Sequence, residues 1–273
     1  MKTIIVIGAG IVGVSTAIWL QRSGFKVTII DQKGPATGAS HGNAGILAAS
    51  SIIPVPNPSL IKKLPFYLLS KDSPVFFKMS YLPQMFPFLM SYLSKSNLRE
   101  VNKYAERMTP LIFDTVCQHK SLAKGTGAEK FISYQDYCFG YETEENFLND
   151  KKVWKLRQKH GLPFEVVNGN EFSNFDPFYK DLFDVIVKCK NHGKINDPGL
   201  YVKTLCDHFL SQGGELIISK VNDISSKNLN DAIVKIESDS LIANKIVVAT
   251  GAWSKKILKK FKIKMPLESE RGY

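Results

Sequence analysis

Cysteine is sparse in this 273-residue chain, and long apolar runs are absent from it. The four cysteines, Cys117, Cys138, Cys189 and Cys206, stand far apart, with no CxxC pair and no histidine cluster nearby. Such spacing indicates neither a disulfide framework nor a zinc site, so no metal is expected, and a reducing compartment fits. No apolar stretch reaches the roughly 18 residues that a membrane-spanning helix needs. Met1 leads directly into a strand that the fold requires, so the start of the chain does not read as a signal peptide. Acidic residues are also under-represented: 25 Asp and Glu face 36 Lys and Arg, a formal net charge of +11. The lysines are spread thinly and no nucleic-acid-binding motif occurs, so no nucleic-acid partner is expected. The densest run, Lys255 to Lys262, is basic and amphipathic. It reads as a solvated helix face or, alternatively, as a contact for an anionic membrane. Catalytic dyads are missing as well: His119, His160 and His192 are isolated and read as surface or structural residues.

What the chain does have is concentrated in Lys2 to Asp31. Thr3–Ile7 is a short β-branched run, and Gly8-Ala9-Gly10-Ile11-Val12-Gly13 completes GxGxxG directly after it. Val12, Ala17, Ile18 and Leu20 then recur at helical spacing, Gly24 stops the helix, and Lys26 to Ile30 makes a second strand. Asp31 follows, 18 residues beyond Gly13. Strand, glycine turn, helix, strand and terminal acid form the βαβ unit of a dinucleotide site. Gly8 permits the tight turn, Gly10 lets the backbone approach a pyrophosphate, and Gly13 allows close helix–strand packing. The helix N-terminus offers free N–H groups and its positive dipole end to the phosphates. Asp31 is placed to accept hydrogen bonds from ribose hydroxyls. The motif alone leaves NAD and FAD equally open.

Further along, Gln32 to Ser40 and His41-Gly42-Asn43-Ala44-Gly45-Ile46-Leu47 are small, polar and glycine-rich. They suit either a plain surface loop or a backbone packed against something flat. Residues 52–97 carry prolines at 54, 56, 58, 65, 74, 83 and 87, which cut the stretch into short apolar pieces. These pieces read as a cap of short helices over a substrate domain. The alternative is a peripheral membrane contact flanked by Lys62, Lys63, Lys71 and Lys78. A helix is expected over 98–125, strands within Phe131 to Tyr141, a charged helix over Glu144 to His160, a short turn capped by Asn170, and a strand at Val185 to Cys189. Asp197 and Pro198 read as N-cap and first position of another helix, ended by Gly213-Gly214. A strand over Glu215 to Lys220, a hairpin over 222–245 and a β-branched strand ending at Ala249-Thr250-Gly251 complete the pattern. The glycine there lets the backbone approach a ligand at the strand's carboxyl end. Trp253 reads equally as a core aromatic or a stacking surface.

GxGxxG with its distal Asp, followed by Gly38-Ala39-Ser40 and Asn43-Ala44-Gly45, resembles the D-amino-acid oxidase superfamily of FAD-dependent oxidoreductases. The likeness is strongest to the bacterial D-amino-acid dehydrogenase branch of small-subunit type. Lys71-Asp72-Ser73-Pro74, the Ala249-Thr250-Gly251-Ala252-Trp253-Ser254 element and Pro266-Leu267 with Arg271-Gly272-Tyr273 match that pattern too. The resemblance implies an α/β fold: a Rossmann-like, doubly wound, mostly parallel FAD-binding domain with an inserted α+β substrate domain. The division expected is 1–51 plus 194–256 for FAD and 52–193 plus 257–273 for substrate. It implies FAD as cofactor, with Gly8, Gly10, Ile11, Val12 and Gly13 at the pyrophosphate and Asp31 and Gln32 near the adenosine ribose. Ser40, Asn43, Ala44 and Gly45 would run along the pyrophosphate and isoalloxazine, and Val221 would lie over the adenine. Ala249, Thr250, Gly251 and Trp253 would complete the cofactor side. Arg271 could pair with a substrate carboxylate through its planar fork, or point to solvent, with Tyr273 donating beside it and His41 near the flavin edge.

The implied activity is oxidation of small amino acids, D-amino acids foremost, with a respiratory-chain electron acceptor as partner. The implied location is cytoplasmic, peripheral at the inner face of the plasma membrane. Family members continue for well over a hundred residues past Tyr273. The expectation is therefore a C-terminally incomplete family fold, lacking the sheet's last strand. Such a chain would be a truncated product, one half of a split protein, a non-catalytic remnant, or a fragment.

Overall fold

A computed structural model describes residues 2–54, 79–228 and 230–267. In chain order its strands and helices are β1 (Thr3–Ile7), α1 (Ile11–Arg22), β2 (Lys26–Asp31), β3 (Ile46–Leu47), α2 (Leu82–Ser94), α3 (Leu98–Ile112) and α4 (Thr115–Ala123). Next come β4 (Ile132–Tyr134), β5 (Tyr137–Tyr141), α5 (Glu144–Asn149), α6 (Lys151–Lys159), β6 (Phe164–Asn168), α7 (Gly169–Phe175), β7 (Val185–Cys189) and β8 (Gly193–Ile195). The last are α8 (Pro198–Ser211), β9 (Glu215–Ile218), β10 (Val221–Ser226), β11 (Ala232–Ile236), β12 (Ser240–Ala243), β13 (Lys245–Val248) and α9 (Ser254–Leu258). The described residues divide into two units, one from 2–46, 117–133 and 194–267, the other from 47–116 and 134–193. No helix among them is long and apolar enough to cross a membrane.

The first unit is built on a parallel sheet of order β13-β1-β2-β9. Ile4 to Ile7, Val27, Ile29 and Ile30 are buried, the continuous apolar reading of strands covered on both faces. On one side Ile5, Ile7 and Ile30 pack with Ile224, Val234 and Ile236 of the antiparallel meander β10-β11-β12. On α1 the inward positions are Gly13, Val14, Ala17 and Ile18. Gln21 Nε2 donates to the carbonyls of Phe209 and Gln212 at 3.1 Å each, tying α1 to the end of α8. Arg22 donates to the carbonyls of Ser121 and Leu122 at 3.1 and 2.9 Å, so a cation satisfies acceptors that the last turn of α4 leaves free. Asp197 caps α8 by accepting from Leu200 N–H at 2.8 Å, with Pro198 in the first turn.

The second unit holds an antiparallel sheet of order β5-β7-β6. Its core centres on Trp154, Val187 and Cys189. Trp154 Nε1 donates to Tyr141 Oη at 2.8 Å, and that hydroxyl donates to Asp150 at 3.2 Å. Burial pushes the Tyr141 hydroxyl up to about 12. Arg157 is buried with its guanidinium 4.4 Å from the Trp154 ring and 5.2 Å from that of Phe139, and its Nε donates to Ser50 O at 3.1 Å. Ser50 N–H in turn donates to His192 Nε2 at 3.2 Å, while His192 Nδ1 lies 2.8 Å from Lys190 O. The two bonds require a neutral imidazole protonated on Nδ1.

Four local expectations change. The helix expected over 98–125 is two, α3 and α4, because Pro110 in the last turn of α3 lacks an N–H and the helix closes at Ile112. Glu144 to His160 likewise divides at Asp150, whose carbonyl accepts from Val153 and Trp154 to start α6. Asn168 rather than Asn170 caps α7, its side chain accepting from Asn170 N–H at 2.9 Å. The expected hairpin over 222–245 is a three-stranded meander, and the strand from Glu215 stops at Ile218.

Burial lowers the His192 pKa below its ordinary 6.5. Below that value the unfolded chain binds the proton more readily, so His192 removes stability as pH falls through the window beneath 6.5. Urea midpoints at about pH 7.5 and about pH 5 should therefore drop for the native chain by more than for His192→Gln. Equal drops would contradict the neutral, doubly bonded imidazole.

Candidate functional site

After Ile7 the chain reverses at the carboxyl end of the parallel sheet through Gly8–Gly13. Gly8 has φ +109°, and its N–H donates to Ile30 O at 2.8 Å. A Cβ on Gly8 would stand 2.4 Å from Ala249 O, and one on Gly13 would stand 1.8 Å from Gly8 O. Neither position admits a side chain. Gly13 lets α1 begin directly against the turn, and Gly8 lets the turn pass the end of β13. Gly10 differs, because a Cβ there would meet only Ser40 Oγ, at 3.1 Å. Its bare Cα leaves room above the turn.

α1 starts at N-cap Gly10 with no side-chain cap and no acid in its first turn. Ile11 N–H donates to Ser40 Oγ at 2.8 Å. The helix thus presents its positive end with no acid in its own first turn, an arrangement suited to an anion. Val12 is 62% exposed, not on the buried face that its spacing suggested, because Gly13, Val14, Ala17 and Ile18 form the inward side.

Asp31 is occupied more fully than the motif implies. One oxygen accepts from Ala9 N–H at 2.8 Å, the other from Lys33 and Gly34 N–H at 2.8 and 3.0 Å. The carboxylate therefore braces the glycine turn and shapes the loop after β2. A carboxylate has about four lone-pair sites, so acceptor capacity for a hydroxyl remains. Gln32 beside it is exposed. Ala9 and Ala36 tie the glycine turn to the loop after β2. Ala36 N–H donates to Ala9 O at 3.0 Å, and Ala36 is buried at φ +58°. A non-glycine residue held in the left-handed region marks a loop fixed by its surroundings. An alanine carries no sequence signal for that.

Beyond Ala36, Asn43 closes a self-contained turn: its Oδ1 accepts from Gly45 N–H at 2.9 Å and its Nδ2 donates to Ala39 O at 3.1 Å. Ala44 is exposed. Gly45, at φ +67°, approaches β8 so closely that a Cβ would lie 2.1 Å from Ile195 O. His41 is exposed, and its Nδ1 lies 2.7 Å from where a Cβ on Gly199 would stand, over the first turn of α8. At the end of β13 the chain passes Ala249 and Thr250 to Gly251 at φ +54°, and Thr250 Oγ1 lies 3.0 Å from Ser254 Oγ. Trp253 is 67% exposed, so it is no core aromatic, and its ring edge faces Gly38 across 3.6 Å of would-be Cβ contact.

Direct contacts therefore join Gly8, Gly13, Asp31, Ser40 and Ala249 around one turn, with Trp253 against the loop that carries Ser40. Gly45 and His41 converge on the start of α8 through Ile195 and Gly199. Val221 stands apart: it opens β10 opposite Ile236 and packs on the Ile5–Ile7 side of the sheet. Arg271 and Tyr273 lie outside the described residues.

Comparison with known proteins agrees on one family. A family model described as DAO, FAD dependent oxidoreductase, matches residues 3–273. A D-amino-acid oxidase of Bradyrhizobium diazoefficiens is 34% identical over 275 residues, covering 100% of this chain and 65% of the relative. A D-amino acid dehydrogenase of Helicobacter pylori is 24% identical over 273 residues, with the same coverages. The chain thus spans 65% of the length of these curated relatives. Among solved structures, glycine oxidase from Geobacillus kaustophilus superposes with a TM-score of 0.66 at 17% identity, over 97% of this chain and 60% of that one. That likeness speaks to fold.

The glycines separate by substitution. Gly13→Ala should abolish folding or cost about 4 kcal/mol or more, since its Cβ meets backbone, whereas Gly10→Ala should keep the fold with a loss below about 1 kcal/mol. Thermal unfolding followed by circular dichroism checks both. A stable Gly13→Ala protein would contradict the described contact.

Proposed function

The chain belongs to the DAO family of FAD-dependent oxidoreductases, and we propose that it oxidises small amino acids, D-amino acids foremost, to 2-oxo acids and ammonia. The observation that carries this reading is the start of α1 above Gly10, where the N-cap glycine brings no capping side chain and Asp31 at the end of β2 braces the turn. The residues present suit FAD. The bare Gly10 leaves a backbone surface for a pyrophosphate, the helix end supplies N–H groups and positive potential, and no acid in its first turn opposes the phosphate charge. Bound FAD supplies the two-electron acceptor for the substrate Cα–H bond, after which water converts the imino acid to oxo acid and ammonia.

The chain's own residues bind and orient. Asp31, already fixed by three backbone N–H groups, offers its remaining lone pairs to ribose hydroxyls. Ser40 holds Ile11 N–H, and so sets the distance between the pyrophosphate turn and the loop to Gly45. Ala249, Thr250 and Gly251 bring backbone to the cofactor side, with Trp253 as an exposed flat surface, and Val221 covers the adenine. We assign cofactor binding to residues 1–51 with 194–256 and substrate binding to 52–193 with 257–273. Arg271 and Tyr273 serve the substrate carboxylate, and His41 lies at the flavin edge. A respiratory-chain acceptor takes the electrons at the inner face of the plasma membrane, and the proposed contact is the stretch 52–97, of which residues 55–78 lie outside the described residues. Supporting that contact, the stretch holds a single acid, Asp72, beside five lysines, and Phe86 and Met90 of α2 are exposed.

The test is a visible spectrum of the purified chain with FAD, recorded anaerobically before and after D-alanine. A flavin spectrum that bleaches is expected. Bound flavin that never reduces would favour a second reading, a flavin-binding chain without catalysis or one half of a split oxidoreductase. Absence of bound flavin in a folded protein would sink both.

A further inference from the structure

From Ser240 to Leu267 the chain carries no acid, while six lysines fall between Lys255 and Lys264. α9 and the helical turn after it, Lys259–Phe261, hold four of them. The segment is fastened from one side. Ile257 packs on the cluster built from Ile5, Ile7 and Ile30, Ser254 is buried, and Lys260 pairs with Asp223 of β10. Its end is fixed as well. Lys262 N–H donates to Lys259 O at 3.0 Å and Ile263 N–H to Leu258 O at 3.3 Å, the double closure of a Schellman cap. The left-handed residue of that cap is Lys262, at φ +57°, where glycine is the usual occupant. In such a cap the next residue, when apolar, ordinarily folds back onto the helix. Here that residue is Ile263, and it is 53% exposed, with Phe261 at 44%. Lys256, Lys259, Lys262 and Lys264 are exposed around them, and none has an acid within ion-pair distance among the described residues.

We propose that the strip from Lys256 to Lys264 docks on an anionic phospholipid surface. Two kinds of group share the strip, and such a surface favours both. A layer of negative headgroups attracts the lysines, each one near it multiplying binding roughly fivefold. Phe261 and Ile263 gain by leaving water for the boundary between headgroups and acyl chains. A nucleic-acid duplex would attract the lysines and leave Phe261 and Ile263 in water. The Schellman cap holds the charged and apolar side chains in place before contact, so little freedom is lost on docking. The strip belongs to the first unit and is separate in sequence from residues 52–97, so it stands whether or not that stretch touches a membrane or the chain carries flavin.

The test is sedimentation of the 273-residue protein with phosphatidylcholine vesicles, alone or with about a third phosphatidylglycerol. Binding to the anionic vesicles is expected, falling as salt rises from about 0.1 M to about 0.5 M, with none to the neutral ones. Lys256→Gln/Lys259→Gln/Lys262→Gln should weaken it about a hundredfold, and Phe261→Ser/Ile263→Ser about tenfold, with circular dichroism unchanged in both. Equal binding to neutral vesicles would overturn the proposal. So would anionic-vesicle binding that survives the triple lysine change, and its loss in Phe86→Ser/Met90→Ser would assign it to 52–97 instead. Vesicle binding undiminished by Phe261→Ser/Ile263→Ser and fully competed by double-stranded DNA would mean a general polyanion contact, which also overturns it.

Discussion

The first unit depends on two backbone contacts that no side chain could survive. Gly13 lies against Gly8 O, and Gly8 lies against the carbonyl that follows β13. Together they let a strand, a helix start and a second strand end meet within one turn. The parallel register of β1 with β13 and β2 then places every loop of interest at the carboxyl edge. Open α/β sheets bind ligands outside that edge. Asp31 completes the arrangement by spending both oxygens on backbone N–H groups before any ligand is considered. A residue that reads as a ligand contact is thus first a structural brace.

The second unit is held together differently. A relay of polar contacts runs from Asp150 through Tyr141 to Trp154, and from Arg157 through Ser50 to His192. Arg157 joins its two halves by lying on the ring of Trp154. Burying a guanidinium with aromatic faces and one carbonyl as company is tolerable because the planar ion is weakly hydrated and stacks well. The relay also fixes Ser50, and with it Ile52, which packs on Ala105 and Leu162 under α3. Charge, ring stacking and apolar burial therefore support the same segment.

Much of the first unit's local structure is legible in the sequence because its rules are local. GxGxxG after a β-branched strand, Asp197-Pro198 before an apolar face, and a strand ending in Thr-Gly each carry their own punctuation. The features that escaped are set by partners distant in sequence. Val12 shares the helical period of buried residues, yet its turn projects beyond the sheet. Ala36 gives no hint of a left-handed backbone, because the bond to Ala9 O that holds it there is tertiary. Pro110 announces a helix end but not that α4 restarts at once, and Asn168 and Asn170 are indistinguishable as caps without geometry. In sequence His160 reads as an isolated histidine. Its orphaned Nε2 emerges only when the walls around it are in place.

The central claim is that the start of α1 above Gly10 receives the pyrophosphate of FAD. Hydrogen exchange resolved to single amides, measured with and without FAD, tests it most directly. Added FAD should slow exchange at Val12 and Gly13, with slowing also at Thr250 and Gly251, and leave α3 and α6 unchanged. FAD retained by the protein with no slowing at Val12 and Gly13 would contradict it.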